Sequence, residues 1–357
     1  MSFPVSSQAA VVPEPKAQNA ITHYPLTPLA SGEIGIKITA TAVNPVDWKM
    51  RDHDAFISEY PAILGSDAAG QVVAVGPEVT GFDVGDRVFF QGIIGNYNSS
   101  TFQQFCKMPA ALVSKTPDNI TDEQAAGISL ATMAAVTAFY DRAGHGLTPP
   151  WETDGDQAGA GKAIVILGGA SSVGQYAIQL ARLSGFDRIV TNASAANHEF
   201  LRKLGAHVVV DRSHADAASF AAAIGDIPLL FVFDAISAKS TQVLGVQILQ
   251  ETNTANSHLV TVHVVRPKAM DADAVALGQS RQPPVEVKQV LGIGSAPDLR
   301  YLSEPMARSL TEYIARGQFI PNRPRFVAGG LGAVEEALAL NKKGVSGEKV
   351  VFSPSEV

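Results

Sequence analysis

Gly169, Ser171, Ser172, Val173 and Gly174, within AIVILGGASSVGQYAIQLARLSG (residues 163–185), have the types and spacing of a phosphate cradle. Such a cradle needs a side-chain-free residue for a tight reversal and close approach of backbone N–H groups to a pyrophosphate. It also needs intimate packing of the following helix on the preceding strand. In Gly169-x-Ser171-x-x-Gly174 the glycines suit the reversal and the packing. Ser171, standing where a middle glycine is usual, and Ser172 can turn hydroxyls towards phosphate oxygens. The positive end of the helix dipole adds to the attraction. The bland alternative is an ordinary strand–helix turn, and the elements on either side decide between the two.

Ala163 to Leu167 form a continuous apolar run of the kind that makes a strand buried on both faces. Beyond the glycines, Val173, Ala177, Leu180 and Ala181 lie on one stripe of a helix. The alternation continues with strands at 188–191, 207–210, 229–233, 258–265 and 285–292 and helices at 195–204, 215–224 and 239–250. That rhythm predicts an α/β fold with a doubly wound parallel sheet. A helix is expected at 304–316 and a last strand at 349–352. Residues 1–8 read as a loose leader. From there to about 125 the chain is β-rich, with runs at 34–38, 69–75 and 87–90 that suit a barrel or a sandwich. Residues 122–140 read as one alanine-rich helix, and 149–161 as a surface loop.

An NAD site usually carries an acid about 20 residues beyond the turn, to hold the ribose 2′-hydroxyl. Here that place reads Thr191-Asn192-Ala193-Ser194. With no carboxylate to repel a 2′-phosphate, NADPH is the expected cofactor. Arg212, at the end of the neighbouring strand, is expected to reach the phosphate, with Ser194 and Asn197 as further donors. The alternative for Arg212 is a solvated surface charge.

At 357 residues the chain suits two domains, and 46% hydrophobic against 17% charged residues indicates a globular protein. The net charge of −7 argues against a nucleic-acid or anionic-membrane partner. No apolar run reaches the ~18 residues of a membrane span, and the N-terminus lacks the pattern of a signal peptide. The single cysteine, Cys106, excludes an intramolecular disulfide and reads as a buried strand residue. A cytoplasmic location is expected.

Four ordered stretches carry a family likeness: Asn44-Pro45-Val46-Asp47-Trp48-Lys49, PAILGSDAAG (61–70), Val84-Gly85-Asp86-Arg87-Val88 and GGASSVGQYAIQLA. Together with SGEKVV (346–351), they resemble the medium-chain dehydrogenase/reductase superfamily. Within it they look closest to the zinc-independent branch of quinone oxidoreductases and fungal trans-acting enoyl reductases. The resemblance implies a GroES-like β-barrel domain, 1–129 with 318–357, and an inserted Rossmann NADPH-binding domain, 130–317.

Zinc-bearing relatives carry a Cys near Pro45, a His-Glu pair at Ser66-Asp67 and a four-cysteine lobe. One cysteine cannot supply these ligands, so no metal is expected. Hydride delivery to an activated C=C of a small enone or enoyl substrate is the chemistry the resemblance leaves, with a carrier-protein-tethered substrate also compatible. Lys49 matches the position where enoyl reductases of this branch carry a lysine near the nicotinamide ribose and substrate. Desolvated, it can donate a proton or hold an oxyanion; its bland reading is a surface lysine after a turn.

The resemblance also places main chain near Val264, Val265 and the 291–294 segment, Leu291 and Ile293 included, against the nicotinamide carboxamide. Phe56, Tyr60, Phe90, Tyr97 and Met133 are candidate pocket residues, with Tyr97 expected to be accessible. Ser129 and Ala134 depart from the Pro and Thr common in the family. Two other functions fit the same cofactor site: a quinone reductase, and a non-catalytic NADPH-binding sensor or scaffold.

Overall fold

A computed structural model describes residues 3–262, 270–282 and 284–356. The chain forms two compact units, Met1–Leu130 with Ile293–Val357, and Ala131–Gly292.

In the first unit β1 (Ser6–Val12), β2 (Ala20–Pro25) and β3 (Glu33–Ala42) lead into α1 (Pro45–His53). Then come β4 (Ala62–Ile63), β5 (Asp67–Val75), β6 (Arg87–Gln91), β7 (Phe105–Pro109), β8 (Val113–Lys115) and α2 (Asp122–Ala125). The chain leaves this unit within α3 (Ser129–Tyr140).

The second unit contains β9 (Ala163–Leu167), α4 (Ser172–Leu183), β10 (Arg188–Ala193), α5 (His198–Leu204) and β11 (Val208–Asp211). It continues with α6 (Ala217–Ile224), β12 (Leu229–Asp234), α7 (Lys239–Glu251), β13 (His258–Val262), α8 (Ala272–Gln279) and β14 (Glu286–Val290). The return to the first unit brings α9 (Arg300–Ala315), β15 (Arg323–Phe326), α10 (Val334–Lys343) and β16 (Glu348–Phe352).

The first unit joins a small sheet, ordered β2-β1-β4, to a larger one ordered β15-β16-β3-β5-β6-β8, with β7 also pairing β3. Alternate residues of these strands are apolar and buried, including Ile34, Ile36, Ile38, Val72, Val88 and Phe90. The leader expected over residues 1–8 is in part a strand: β1 starts at Ser6 and pairs with β2 from Ser6↔Pro25 to Val11↔Ala20. Its N-terminal half escapes an apolar reading because two of its first three residues are serines.

The second unit is a six-stranded parallel sheet ordered β11-β10-β9-β12-β13-β14. Numbered within the unit this is 3-2-1-4-5-6, the doubly wound order that reverses between β9 and β12. All five residues of β9 are buried, as the unbroken apolar run requires. At the start of β13, His145 Nδ1 and His258 Nε2 lie 2.6 Å apart, with the His145 ring stacked on Phe231. Burial pushes the imidazoles down, to about 3 for His145 and about 4 for His258, so this is a neutral packing pair.

Two boundaries differ from expectation. The single helix expected at 122–140 is broken between Ala125 and Ser129. Gly127 lies there against the stem of Lys349, where a Cβ would come within 2.7 Å of the lysine Cγ. The chain re-enters the first unit at Ile293 rather than after 317. The reason is α9: its Thr311 hydroxyl donates to Lys115 O, and Asn119 Nδ2 donates to Ile314 O, tying that helix to the β-rich unit.

Candidate active site

In the α/β unit the glycine-rich turn lies between β9 and α4. The left-handed reversal falls on Gly168 (φ +82°), one residue before the glycine expected to make it. Gly169 serves close packing instead: a Cβ there would meet Thr191 Oγ1 of β10 at 2.2 Å. Gly174 has the expected role, since its Cβ would meet Gly168 O at 2.3 Å. Ser171 differs from expectation. Its hydroxyl accepts the Gly174 N–H at 3.0 Å and donates to Gly168 O at 2.8 Å, so it caps α4 and has no hydrogen left for a phosphate. The amides of Ser172 and Val173 are left as orphan donors at the start of a 12-residue helix. They and the Ser172 hydroxyl are donors of the kind that can hold an anion.

Two residues outside the motif, Asn192 and Ile236, also bear on the turn. Asn192 Oδ1 accepts the Gly168 N–H at 2.8 Å, and Asn192 O accepts that of Gly169 at 3.1 Å. The exposed Ile236 covers Gly168, where a Cβ would lie 2.3 Å from its Cγ1. In the sequence Asn192 stands only where an acid is absent; an amide one strand away from a glycine turn is the signal for this contact.

β10 and β11 pair in parallel from Val190↔Val208 to Ala193↔Asp211, so Arg212 emerges beside Ser194, with its N–H on Ala193 O at 3.0 Å. The Arg212 side chain is exposed and unpaired among the described residues. Asn197 does not present its amide: it is buried, and its Nδ2 donates to Ser194 Oγ at 3.1 Å, so it orients that serine.

Past β14, Gly292 lies against the backbone of α3, where a Cβ would meet Ala134 Cα at 2.7 Å, so only glycine at 292 permits this approach. Gly294 N donates to Gln91 Oε1 at 3.0 Å and Ser303 Oγ to Gly294 O at 2.6 Å. Leu291 is exposed and Ile293 half-buried beside these anchors. Val264 and Val265 lie outside the described residues.

In the β-rich unit, Lys49 stands in the second turn of α1, a helix opened by Asn44 at the N-cap and Pro45 at N1. Three neighbours of the lysine bind α10: Trp48 Nε1 donates to Asn341 Oδ1 at 3.0 Å, Arg51 pairs with Glu335 at 2.8 Å, and Asp52 with Lys342 at 2.8 Å. Lys49 itself is half-buried and has no carboxylate partner among the described residues. Its ammonium lies 5.3 Å from the centre of the Trp48 ring. Desolvation holds its pKa below the ordinary lysine value.

Ser66 and Asp67, where zinc-bearing relatives were expected to differ, belong to a buried polar network. Ser66 Oγ donates to Asp47 Oδ1 at 2.8 Å, and Asp47 Oδ2 accepts the Asn44 N–H at 2.7 Å. Asp67 Oδ1 accepts the Leu130 N–H at 3.2 Å, and its Oδ2 lies 3.7 Å from Lys349 Nζ, which donates to Asn44 Oδ1 at 2.5 Å. Burial raises Asp47 to about 6 and Asp67 to about 7, and lowers Lys349. One ammonium cannot neutralise two dry carboxylates, so the pair retains a proton towards neutrality. Among the described residues no group of three or more His, Cys, Asp or Glu side chains could hold a metal ion.

The expected pocket residues divide sharply. Phe90 and Met133 are core. Tyr97 is core too, only 5% exposed, because its hydroxyl reaches Glu59 O at 2.6 Å and turns the ring inward. Tyr60 is held by Asp54, whereas Phe56, 44% exposed, is the accessible aromatic of the group. Ser129 is buried at the start of α3 beside Gln91 and Ser303.

Residues 30–118 match the alcohol dehydrogenase GroES-like domain family. The trans-enoyl reductase himH of Aspergillus japonicus is 34% identical, over 90% of this chain and 90% of that protein. The dehydrogenase azaJ of Aspergillus niger is 31% identical over 97% and 98%. The crystal structure of an alcohol dehydrogenase superfamily protein from Novosphingobium aromaticivorans superposes with a TM-score of 0.76 at 25% identity, covering 97% of this chain and 99% of that one. No helix among the described residues is long and apolar enough to cross a membrane. A GroES-like unit interrupted by a 3-2-1-4-5-6 parallel sheet, with homology running through both, makes this chain an oxidoreductase of the medium-chain dehydrogenase/reductase superfamily, whose chemistry uses a nicotinamide cofactor.

Proposed function

We propose that the protein uses NADPH to reduce the C=C bond of an α,β-unsaturated carbonyl compound or enoyl thioester, with no metal. The observation that carries the reading is Lys49: a half-desolvated ammonium without a carboxylate partner, on a helix held at three points. The relation to a trans-enoyl reductase supports it.

When bound, NADPH supplies a hydride to the substrate β-carbon. The turn residues fit its pyrophosphate: Gly168, Gly169 and Gly174 leave no room for a Cβ, and the amides of Ser172 and Val173 point donors at an anion. Ser194, oriented by Asn197, and Arg212 recognise the 2′-phosphate. The 291–293 main chain orients the carboxamide. Lys49 donates a hydrogen bond to the oxygen on which enolate charge develops, and its lowered pKa makes it a better acid for protonating the enolate. The product gains one hydride and one proton across the former double bond.

The test follows NADPH absorbance with enones, enoyl thioesters and quinones, repeated with NADH and with a chelator. Chelator-resistant, NADPH-preferring turnover of enones or enoyl thioesters is expected. Turnover of quinones alone would assign a quinone reductase instead. NADPH binding without turnover of any of them would leave the sensor or scaffold role.

Arg212→Ala should raise the KM for NADPH about 10- to 100-fold and leave the KM for NADH within twofold. That is the loss of one charge-assisted contact, about 1.5–3 kcal/mol, at about 1.4 kcal/mol per tenfold. Equal effects on both cofactors, or none, would remove Arg212 from the site.

A further inference from the structure

The buried network around Lys349 connects three places that sequence separates widely. Lys349 comes from β16, has only 4% of its side chain exposed, and runs its stem across Gly127 in the break between α2 and α3. Its ammonium meets Asn44, the N-cap of α1, and Asp67, which in turn receives the Leu130 N–H in the first turn of α3. Asn44 is joined to Asp47, and Asp47 to Ser66, so the opening turn of α1 is tied to the residue just before β5. Five residues beyond Asn44 the same helix carries Lys49.

We infer that Lys349 is a positioning residue for Lys49. From one buried point it sets the N-cap of the lysine's helix and the start of the helix by which the chain leaves the β-rich unit. The inference rests on the catalytic reading of Lys49. The geometry favours it over simple charge neutralisation of Asp67. The shortest contact of the ammonium is to the Asn44 amide oxygen, at 2.5 Å, while the carboxylate stands at 3.7 Å. A lysine serving only to neutralise Asp67 has no need of the N-cap. Gly127 adds a second sign, because the chain gives up a helical turn where the stem passes. The α10 contacts to Trp48, Arg51 and Asp52 hold the later turns of α1, and α10 leads into β16, so the C-terminal segment grips the helix at its N-cap and again further along.

A double-mutant cycle on the full chain tests this, using Lys49→Met, Lys349→Met and the pair, with kcat, the KM for NADPH and Tm measured for each. Lys349→Met is expected to lower kcat at least tenfold with the NADPH KM within twofold, and to add less than twofold once Lys49 is already methionine. A lysine that only stabilises the fold would lower Tm and cut kcat by the same factor in both backgrounds, which would overturn the inference. If Lys49→Met alone leaves kcat unchanged, the catalytic reading of Lys49 fails first and takes this inference with it. Should Lys349→Met not fold, Gly127→Ala takes its place, since its Cβ displaces the lysine stem and removes no charge. A kcat reduced three- to tenfold only when Lys49 is present is then expected, and an unchanged kcat would overturn the positioning role.

Discussion

Lys49→Met should lower kcat for enone or enoyl thioester reduction by about 10²- to 10⁴-fold, the usual contribution of a positioned general acid. NADPH affinity should stay within about threefold, because no cradle contact involves α1. The pH dependence gives the sharper test. The reaction needs the ammonium, so activity falls as pH rises through the lysine pKa. Desolvation holds that pKa below the ordinary 10.5, which moves the alkaline limb towards neutrality. Lys49→Arg keeps a donor that stays protonated well beyond the lysine range, so the limb should leave the measurable range while a fraction of kcat survives. A wild-type and an arginine variant with the same alkaline limb would mean that another group carries the proton. The Trp48 ring is part of this design: it shields one side of the ammonium without neutralising it, as a carboxylate would.

The elements around that chemistry were legible to unequal degrees. The αβ alternation from Ala163 onward held because parallel strands buried on both faces read as unbroken apolar runs, and β9 is buried throughout. Helix α4 held for a similar reason, its apolar stripe facing the sheet. The finer placement did not follow. Gly168 and Gly169 are adjacent and alike, and only the folded turn distinguishes the one that takes positive φ from the one that meets Thr191. Ser171 and Asn197 are donors by type, but both hydrogen-bond within the protein first, one to the turn and one to Ser194. Tyr97 sits in a polar stretch, GNYNSS, yet a single backbone acceptor 38 residues away draws it into the core. Lys349 is the clearest limit. In SGEKVV it is a lysine opening a strand, a position that solvent ordinarily claims. Its burial depends on Asn44, Asp67 and Gly127, three partners more than 200 residues distant along the chain.

The second large effect belongs to Gly174. Replacing it by alanine places a methyl group 2.3 Å from Gly168 O and 2.8 Å from Gly169 Cα. Both are backbone atoms of the turn itself, so no flexible side chain can yield. Relief has to come from lifting α4 off the turn, and overpacking of this kind costs about 1–3 kcal/mol of stability. The same movement withdraws the Ser172 and Val173 amides from the anion they face and breaks the cap between Ser171 and Gly174. Losing two contacts to a charged phosphate, at about 1.5–3 kcal/mol each, weakens NADPH binding at least about 100-fold. Equilibrium titration of NADPH fluorescence reads this directly, with Tm measured beside it. Gly332→Ala is the matched control, because a Cβ there meets nothing within 4 Å. An NADPH dissociation constant within threefold of wild type in folded Gly174→Ala would show that the pyrophosphate is not held at this turn. The cofactor would then have to lie elsewhere on the sheet, away from the reversal between β9 and β12 where the strand order opens the crevice for it.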